Sequence, residues 1–358
     1  MIDIVRVTPA QEDTHARFVR ACPEAMIYAT LEYRNVLARI VPGEAVCLAA
    51  RDNGRIVGTL PYFLAEQPRF GAIINSLPWF GSHGGCLLAP DAGPEVRAAL
   101  VRAYADAASA ADVLSATLIV TPQENDVLGE YRQVLKPSHA DHRIGQITTL
   151  PEQGPDLDRR LESGIMQKTR NLVRKSLKQG FELVERDDDW AWRALCQLHQ
   201  VNMAAIGGRA KPWEHFEALR DGLPAAWRKV WIAMEGDEPV AALLLLYCNR
   251  TVEYCVPASK LEFRSRQPLS FLIWHGMQDA VSRGFRWWNW GGTWGSQSSL
   301  HHFKAGWGAQ DRPYTYLIRL TERGLAALLS RRAELQTMFP FYYTHPYALE
   351  QAASGAAR

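Results

Sequence analysis

Two stretches of this chain have the same shape. "VCLAARDNGRIVGTLPYF" (Val46–Phe63) and "VWIAMEGDEPVAALLLLY" (Val230–Tyr247) each run as apolar strand, polar turn and apolar strand. They align without a gap, Val46 on Val230 and Ile56 on Val240. The turns "RDNG" and "EGDE" suit tight hairpins. The flanks repeat too. "QEDTHARFVRAC" and "DDDWAWRALCQLH" precede the hairpins as helix starts with acidic first turns. "PEVRAALVRAYADAASAADVLSATLIV" and "QPLSFLIWHGMQDAVSRGFRWWNW" follow them, each a helix and then a strand. Helix, hairpin, helix and strand in the same order twice predict an α/β protein of two tandem units with mixed sheets. The competing reading is one mixed sheet with coincidental hairpins.

A chain of 358 residues has room for such a pair. With 47% hydrophobic and 22% charged residues it is an ordinary globular chain. A net charge of +2 forces no nucleic-acid partner, and DNA is not expected; any such case must rest on local patches. The cysteines at 22, 47, 86, 196, 248 and 255 form no C-x-x-C pair and no zinc spacing, so no metal is expected. The N-terminus lacks the pattern of a signal peptide. The most apolar run, Val240–Cys248, is too short to span a bilayer. These features predict a cytoplasmic protein with reduced cysteines and no membrane span.

Between the repeats lies "DLDRRLESGIMQKTRNLVRKSLKQGFELVERDD". At about 100° per residue, Leu161, Ile165, Met166, Leu172, Val173 and Leu177 fall on one half of a helix. Arg160, Lys168, Arg170, Arg174, Lys175 and Lys178 fall on the other, and Gly180 stops it. One helix over Arg159–Gln179 is therefore expected. Its basic side is either a solvated face or the seat of a phosphate-bearing small molecule held by Arg170, Arg174 and Lys175. The tail predicts a helix over Thr321–Thr337, then the aromatic run "MFPFYYTHPY", packed across the second unit.

Four motifs in order carry a family resemblance: "MIYATLEYRNVL" (Met26–Leu37), "LPWFGSHGGCLLAPD" (Leu77–Asp91), "KTRNLVRKSLKQGFEL" (Lys168–Leu183) and "AVSRGFRWWNWGGTWGSQSSLHHFKAGWG". The chain resembles the Fem-like branch of the GNAT acyltransferase superfamily over roughly residues 20 to 320. The resemblance implies tandem GNAT-like domains, here bounded as 1–158 and 159–320 with a tail at 321–358. It also implies acyl or aminoacyl transfer to an amine of a sugar, a nucleotide-sugar or a cell-wall or polysaccharide precursor. The co-substrate is acyl-coenzyme A or aminoacyl-tRNA, with no tightly bound cofactor. Arg159–Gln179 favours the tRNA alternative; the low net charge weighs against it. An alternative of another class is a non-catalytic module that binds a glycan or nucleotide-sugar.

The chemistry of acyl transfer then selects residues. The amine must be neutral and the oxyanion stabilised. In "GGTWGSQSSLHHFKAGWG" (Gly291–Gly308), expected as a cleft-lining loop, Lys304 supplies positive charge, and the resemblance makes it the lysine of an "F-K" signature. His301 and His302 are candidate bases. Asn289 alternates with Trp288 and Trp290, so it reaches the cleft from a strand end while those indoles pack. Trp294 and Trp307 are candidates for stacking on a sugar or base. Ser82, His83, Gly84 and Gly85 are candidates for meeting an acceptor with backbone N–H groups. GNAT enzymes bind the donor pyrophosphate with a glycine-rich turn at a helix N-terminus. Here "EFRSRQPLSFLIWHG" has no glycine before the helix and places Pro268 in its first turn. Arg264, Arg266 and Ser270 are the candidate donor contacts instead. The matching stretch of the first repeat, "APDAGPEVRAAL", is acidic and unsuited to phosphate.

Overall fold

The computed structural model describes residues 2–77, 84–205, 207–339 and 342. The chain begins with β1 (Asp3–Arg6), α1 (Glu12–Ala21), α2 (Leu31–Ile40), β2 (Glu44–Asp52), β3 (Arg55–Gln67), β4 (Gly71–Asn75) and β5 (Leu87–Leu88). It continues through α3 (Pro94–Ala107), β6 (Val113–Val120), α4 (Leu128–Leu135) and β7 (His139–Thr149). Next come α5 (Leu157–Gly164), α6 (Gln167–Leu177), β8 (Glu182–Arg186), α7 (Asp189–Ala205), α8 (Trp213–Gly222), β9 (Arg228–Glu235) and β10 (Glu238–Cys248). The last elements are β11 (Thr251–Ser259), α9 (Pro268–Ser282), β12 (Trp287–Thr293), α10 (Ser298–Gly306), β13 (Ala309–Leu320) and α11 (Glu322–Met338).

Contacts divide the chain into two units. The first runs to Arg143 and resumes at Pro313; the second is Ile144–Arg312. In the first, strands lie in the order β1-β2-β3-β4-β6-β13, and in the second β8-β9-β10-β11-β12-β7. Polarity matches place for place. Three antiparallel pairs are followed by a parallel pair, β4 with β6 or β11 with β12, and then an antiparallel one. The connections match too, with α1 and α2 answering to α7 and α8, and α3 to α9.

Both expected hairpins form. Asn53 and Gly54 at the first take φ of 48° and 81°, the left-handed pair that a two-residue hairpin turn requires. One apolar core gathers around Tyr104, Leu100 and Leu118 in the first unit, another around Leu243, Leu272 and Trp288 in the second.

Three expectations need correction. Sequence reasoning put the division at 158/159 and gave residues 309–320 to the second repeat. Instead Thr315–Leu320 of β13 pairs with Ser115–Val120 of β6, and Ile144–Thr149 of β7 pairs along β12. The closing strand of each unit thus comes from the chain segment next to the other repeat. The tail helix α11 also belongs to the first unit, where Thr321 N–H donates to Leu114 O at 3.1 Å; most of "MFPFYYTHPY" lies outside the described residues.

The helix expected over Arg159–Gln179 is two helices. Met166 N–H donates to Gly306 O (2.9 Å), and a Cβ on Gly308 would come within 2.2 Å of Gly164 O. Tertiary contact thus breaks the periodic segment at Ile165–Met166. Leu161, Ile165 and Val173 are buried, whereas Met166 and Leu177 are 58% and 45% exposed.

Candidate functional site

The parallel strands β11 and β12 pair only between Thr251–Glu253 and Trp287–Asn289. Beyond those residues β11 stays paired to β10 as far as Ser259, and β12 to β7 as far as Thr293. The two therefore part from each other at their C-terminal ends. Tyr254, Cys255 and Pro257 keep partial exposure although β11 has a strand on each side. Two irregularities sit at the fork. Cys255 is an extra residue between the pairs Leu244–Val256 and Leu245–Tyr254. The β12 register shifts between Asn289 and Gly292, where Gly291 takes φ 72°. Bulges of this kind end pairing and re-aim side chains.

The equivalent strands of the first unit do not part. Their pairing runs from Ala72 to Asn75 and continues as Ser76 N–H donates to Thr117 O (2.9 Å). Ser76 Oγ then accepts from Ile119 N–H (2.9 Å). A Cβ on Gly85 would lie 2.1 Å from Ile119 O, and one on Gly84 2.1 Å from Leu77 Cβ. Gly84 and Gly85 are therefore buried spacers that seal this end, which corrects their expected meeting with an acceptor. Ser82 and His83 lie outside the described residues.

At the root of the open fork, Asn289 Nδ2 donates to Glu253 Oε2 (2.8 Å), and Asn289 Oδ1 accepts from Gly291 N–H (3.0 Å). Both residues are buried. On the same face, the backbone N–H of Lys211 donates to His199 Nε2 of α7 (3.1 Å). Burial, helped by Lys211, pushes His199 and His215 down to about 4. Burial also lowers Lys211 to about 8, with Cys255 opposing the shift. The surroundings of the Cys255 thiol are dry enough to raise it to about 12, against the pull of Lys211. Sequence reasoning missed this group. The legible signal was a carboxylate and a thiol inside the apolar strand "TVEYCVPAS".

The other face holds the stretch Gly291–Gly308, expected as a cleft-lining loop, but not as a loop. Gly291–Thr293 ends β12, Ser298–Gly306 is helix α10, and β13 starts at Ala309. Helix α10 packs so tightly on α6 that a Cβ on Gly306 would lie 2.5 Å from Thr169 Oγ1. Lys304, only 3% exposed, donates through Nζ to Thr293 Oγ1 (2.8 Å), Gly292 O (3.2 Å) and Gly291 O (3.4 Å). Thr293 Oγ1 in turn donates to Gln146 Oε1 (3.0 Å). Burial alone pushes Lys304 down to about 8. His301 Nε2 bonds the Asp311 carboxylate (2.9 Å), and exposed His302 donates through Nδ1 to Ser298 O (2.7 Å). Trp294 is 41% exposed. Trp307 is 1% exposed, in the core beside Trp290 at 6.1 Å between rings, so it has no free face for stacking.

Other expected contacts serve the fold. Arg170 donates to Glu162 O (3.0 Å) and Ile165 O (2.6 Å), satisfying the carbonyls at the end of α5. Arg174 bonds the Glu162 carboxylate (2.7 Å). Lys168, Lys175 and Lys178 stay exposed. Arg266 pairs with Glu235, donates to Gln179 O (3.0 Å) and lies over the Phe181 ring at 4.9 Å. Ser270 is buried and donates to Gln267 Oε1 (3.2 Å). Of the donor candidates, Arg264 stays exposed, with Asn202 Oδ1 at 2.8 Å. Gln267 takes the left-handed φ of 65° before Pro268, the conformation a glycine would adopt more cheaply. Among the described residues, no group of three or more His, Cys, Asp or Glu is placed to hold a metal ion, and no helix is long and apolar enough to cross a membrane.

A sheet of this strand order, opened between its central parallel strands, defines a tandem GNAT fold. Residues 164–334 match the family model described as acetyltransferase (GNAT) domain. Such domains use acyl-coenzyme A as co-substrate. The fold is similar to the crystal structure of FemX, with a TM-score of 0.70 at 14% identity over 91% of this chain and 99% of that one. It is also similar to a tandem GNAT protein from the clavulanic acid biosynthesis pathway, with a TM-score of 0.56 at 12% identity over 89% and 98%. No curated protein sequence matches the chain. The match to an acetyltransferase domain supports an enzyme rather than the non-catalytic module.

Proposed function

We propose that this protein is an N-acyltransferase with a single transfer site, at the parting of β11 and β12. One observation carries the reading: interior strand β11 has no β12 partner beyond Glu253, and Tyr254, Cys255 and Pro257 beyond it are partly exposed. A slot there offers unpaired strand edges to an extended thioester, while an amine approaches over Glu253. The amine nitrogen attacks the acyl carbon, the C–N bond forms and the C–S bond breaks. The amine's proton passes to the Glu253 carboxylate, and the thiolate leaves to be protonated by solvent. Lys304 fixes the end of β12 and brings a positive charge near the developing oxyanion. The donor is acyl-coenzyme A, its phosphates met by Arg264 and the first turn of α9. The acceptor is the amine of a sugar, nucleotide-sugar or cell-wall or polysaccharide precursor. The free cysteines suit a reducing cytoplasm.

A second reading keeps the site and takes aminoacyl-tRNA as donor. Exposed Lys168, Lys175 and Lys178 on α6 favour it. The test supplies the protein with acetyl-coenzyme A or charged tRNA, together with a panel of amines, and reads products by mass spectrometry. Glu253→Gln keeps an oxygen for Asn289 but no base, and should lower turnover by about 10². Full turnover in this variant, with an unchanged melt, would move the site elsewhere.

A further inference from the structure

We propose that the first unit carries a ligand site of its own: a cavity beside α1 that takes a small molecule with an apolar body and one carboxylate. The inference goes beyond the acyl-transfer reading and does not depend on it. The cavity holds about 310 Å³ and is lined only by residues between Thr14 and Asp91. Small-molecule sites span roughly 300–1,000 Å³, and this one lies at the lower end. At the ~30 Å³ that a water takes in the liquid, about ten water-sized groups fill it.

Two walls build the cavity. On α1, Thr14, Arg17, Phe18 and Ala21 recur at the three- and four-residue spacing of one helix face. The other wall is Arg55 and Ile56 at the start of β3, with the segment Ala89–Asp91 that leads toward α3. That segment is fixed, since Ala89 N–H donates to Val57 O (2.9 Å) and Ala92 N–H to Ala89 O (2.9 Å). Cys22 Sγ donates to Leu88 O (3.8 Å) and ties the end of α1 to β5. Ala21, Cys22 and Ala89 are small, so the walls meet without filling the space between them. The stretch "APDAGPEVRAAL", unsuited to phosphate, thus lends its first three residues to a different kind of site.

Polarity divides the lining. Phe18, Cys22, Ile56 and Ala89 are buried and belong to a cluster apart from the main core of the unit. Water between such side chains finds few of the roughly two to four polar partners it needs, so an apolar body displaces it favourably. Arg17, Arg55 and Asp91 are exposed. Arg55 already bonds the Asp91 carboxylate (2.8 Å). Among the described residues Arg17 has no carboxylate partner; its hydrogen bond goes to Thr14 Oγ1 (3.2 Å). One positive charge is therefore left over at the cavity, which selects a single anion and disfavours an amine. The planar fork of a guanidinium meets a carboxylate with two parallel bonds.

Isothermal titration of the full chain with sodium octanoate, 3-phenylpropionate and octylamine tests the site. At least one carboxylate should bind at a single site with Kd below about 1 mM, and the tighter of the two tells a chain from a ring. Octylamine should not bind. Arg17→Gln should weaken the carboxylate by about tenfold, the scale of one charge-assisted contact. Ala21→Leu should abolish binding by filling the space, and both variants should melt as the wild type does. Saturating acetyl-coenzyme A should leave octanoate binding unchanged, whether or not any amine is acetylated. No binding of either carboxylate, equal binding of octylamine, or displacement by acetyl-coenzyme A would overturn the inference. So would wild-type affinity in a folded Ala21→Leu. If Ala21→Leu melts low, Arg17→Gln decides: wild-type affinity there refutes the site.

Discussion

Replacing Lys304 by methionine separates the two things that a buried lysine does. In the folded protein burial alone lowers its pKa from 10.5 to about 8. At 1.36 kcal/mol per unit, holding the charged form costs about 3 kcal/mol. Against this stand three hydrogen bonds to the end of β12, each worth about 1 kcal/mol or somewhat more. The two nearly cancel, so Lys304→Met should melt close to the wild type at pH 7. The sign of the pH dependence is definite. Between pH 8 and 10.5 the unfolded lysine holds its proton and the folded one has lost it, so wild-type stability rises with pH. The variant lacks that rise, and the wild type should gain about 2–3 kcal/mol over it by pH 10. Turnover should nevertheless fall by about 10², because the charge at the fork is gone and Gly291 and Gly292 lose their tether. Urea unfolding of both proteins at pH 7 and pH 10, beside steady-state acetyl transfer, provides the readings. Parallel stabilities at the two pH values would refute the dry ammonium, and unchanged turnover would remove Lys304 from the site.

Two further outcomes test the corrected roles. Arg170→Ala should lower stability by about 1–3 kcal/mol, by taking a charged donor from the carbonyls of Glu162 and Ile165, and leave KM for any phosphate-bearing acceptor unchanged; a raised KM with an unchanged melt would restore its ligand role. Gly276→Ala should cost about 1–3 kcal/mol, since the added methyl would meet Leu245 Cδ1 at 2.8 Å and the Trp288 ring at 3.1 Å. Thermal melts read that loss, and a neutral result would mean the core of unit two yields more easily than its packing indicates.

Much of the local structure could be read from the residues. The hairpins follow from alternating apolar runs around "DNG" and "GD", where only a left-handed turn closes the pair. Helix α9 follows from Pro268 at its first position, and β12 from its run of indoles. Within the site, Asn289 was legible because alternation set it opposite Trp288 and Trp290. Lys304 was found by its motif, but its burial was not. The sequence named the residue type, and only the packing of α10 on α6 took its water away.

What the sequence by itself determined is the order of elements, their period and their turns, because these depend on neighbours a few residues away. What only the tertiary structure decided depends on partners far along the chain. The exchange of closing strands brings β13 to β6 and β7 to β12 across more than a hundred residues of sequence, and no local pattern records which edge a strand will join. The fork opens in one unit and is sealed in the other because Gly84 and Gly85 reach Leu77 and Ile119 in the first, whereas β11 bulges at Cys255 in the second. Arginines that a helical wheel set beside a ligand turned to satisfy the end of α5, since an unpaired backbone carbonyl nearby competes for every donor. Lys211, His199 and Cys255 became one group only when α7 folded over β11, where low dielectric couples charges that water would have screened.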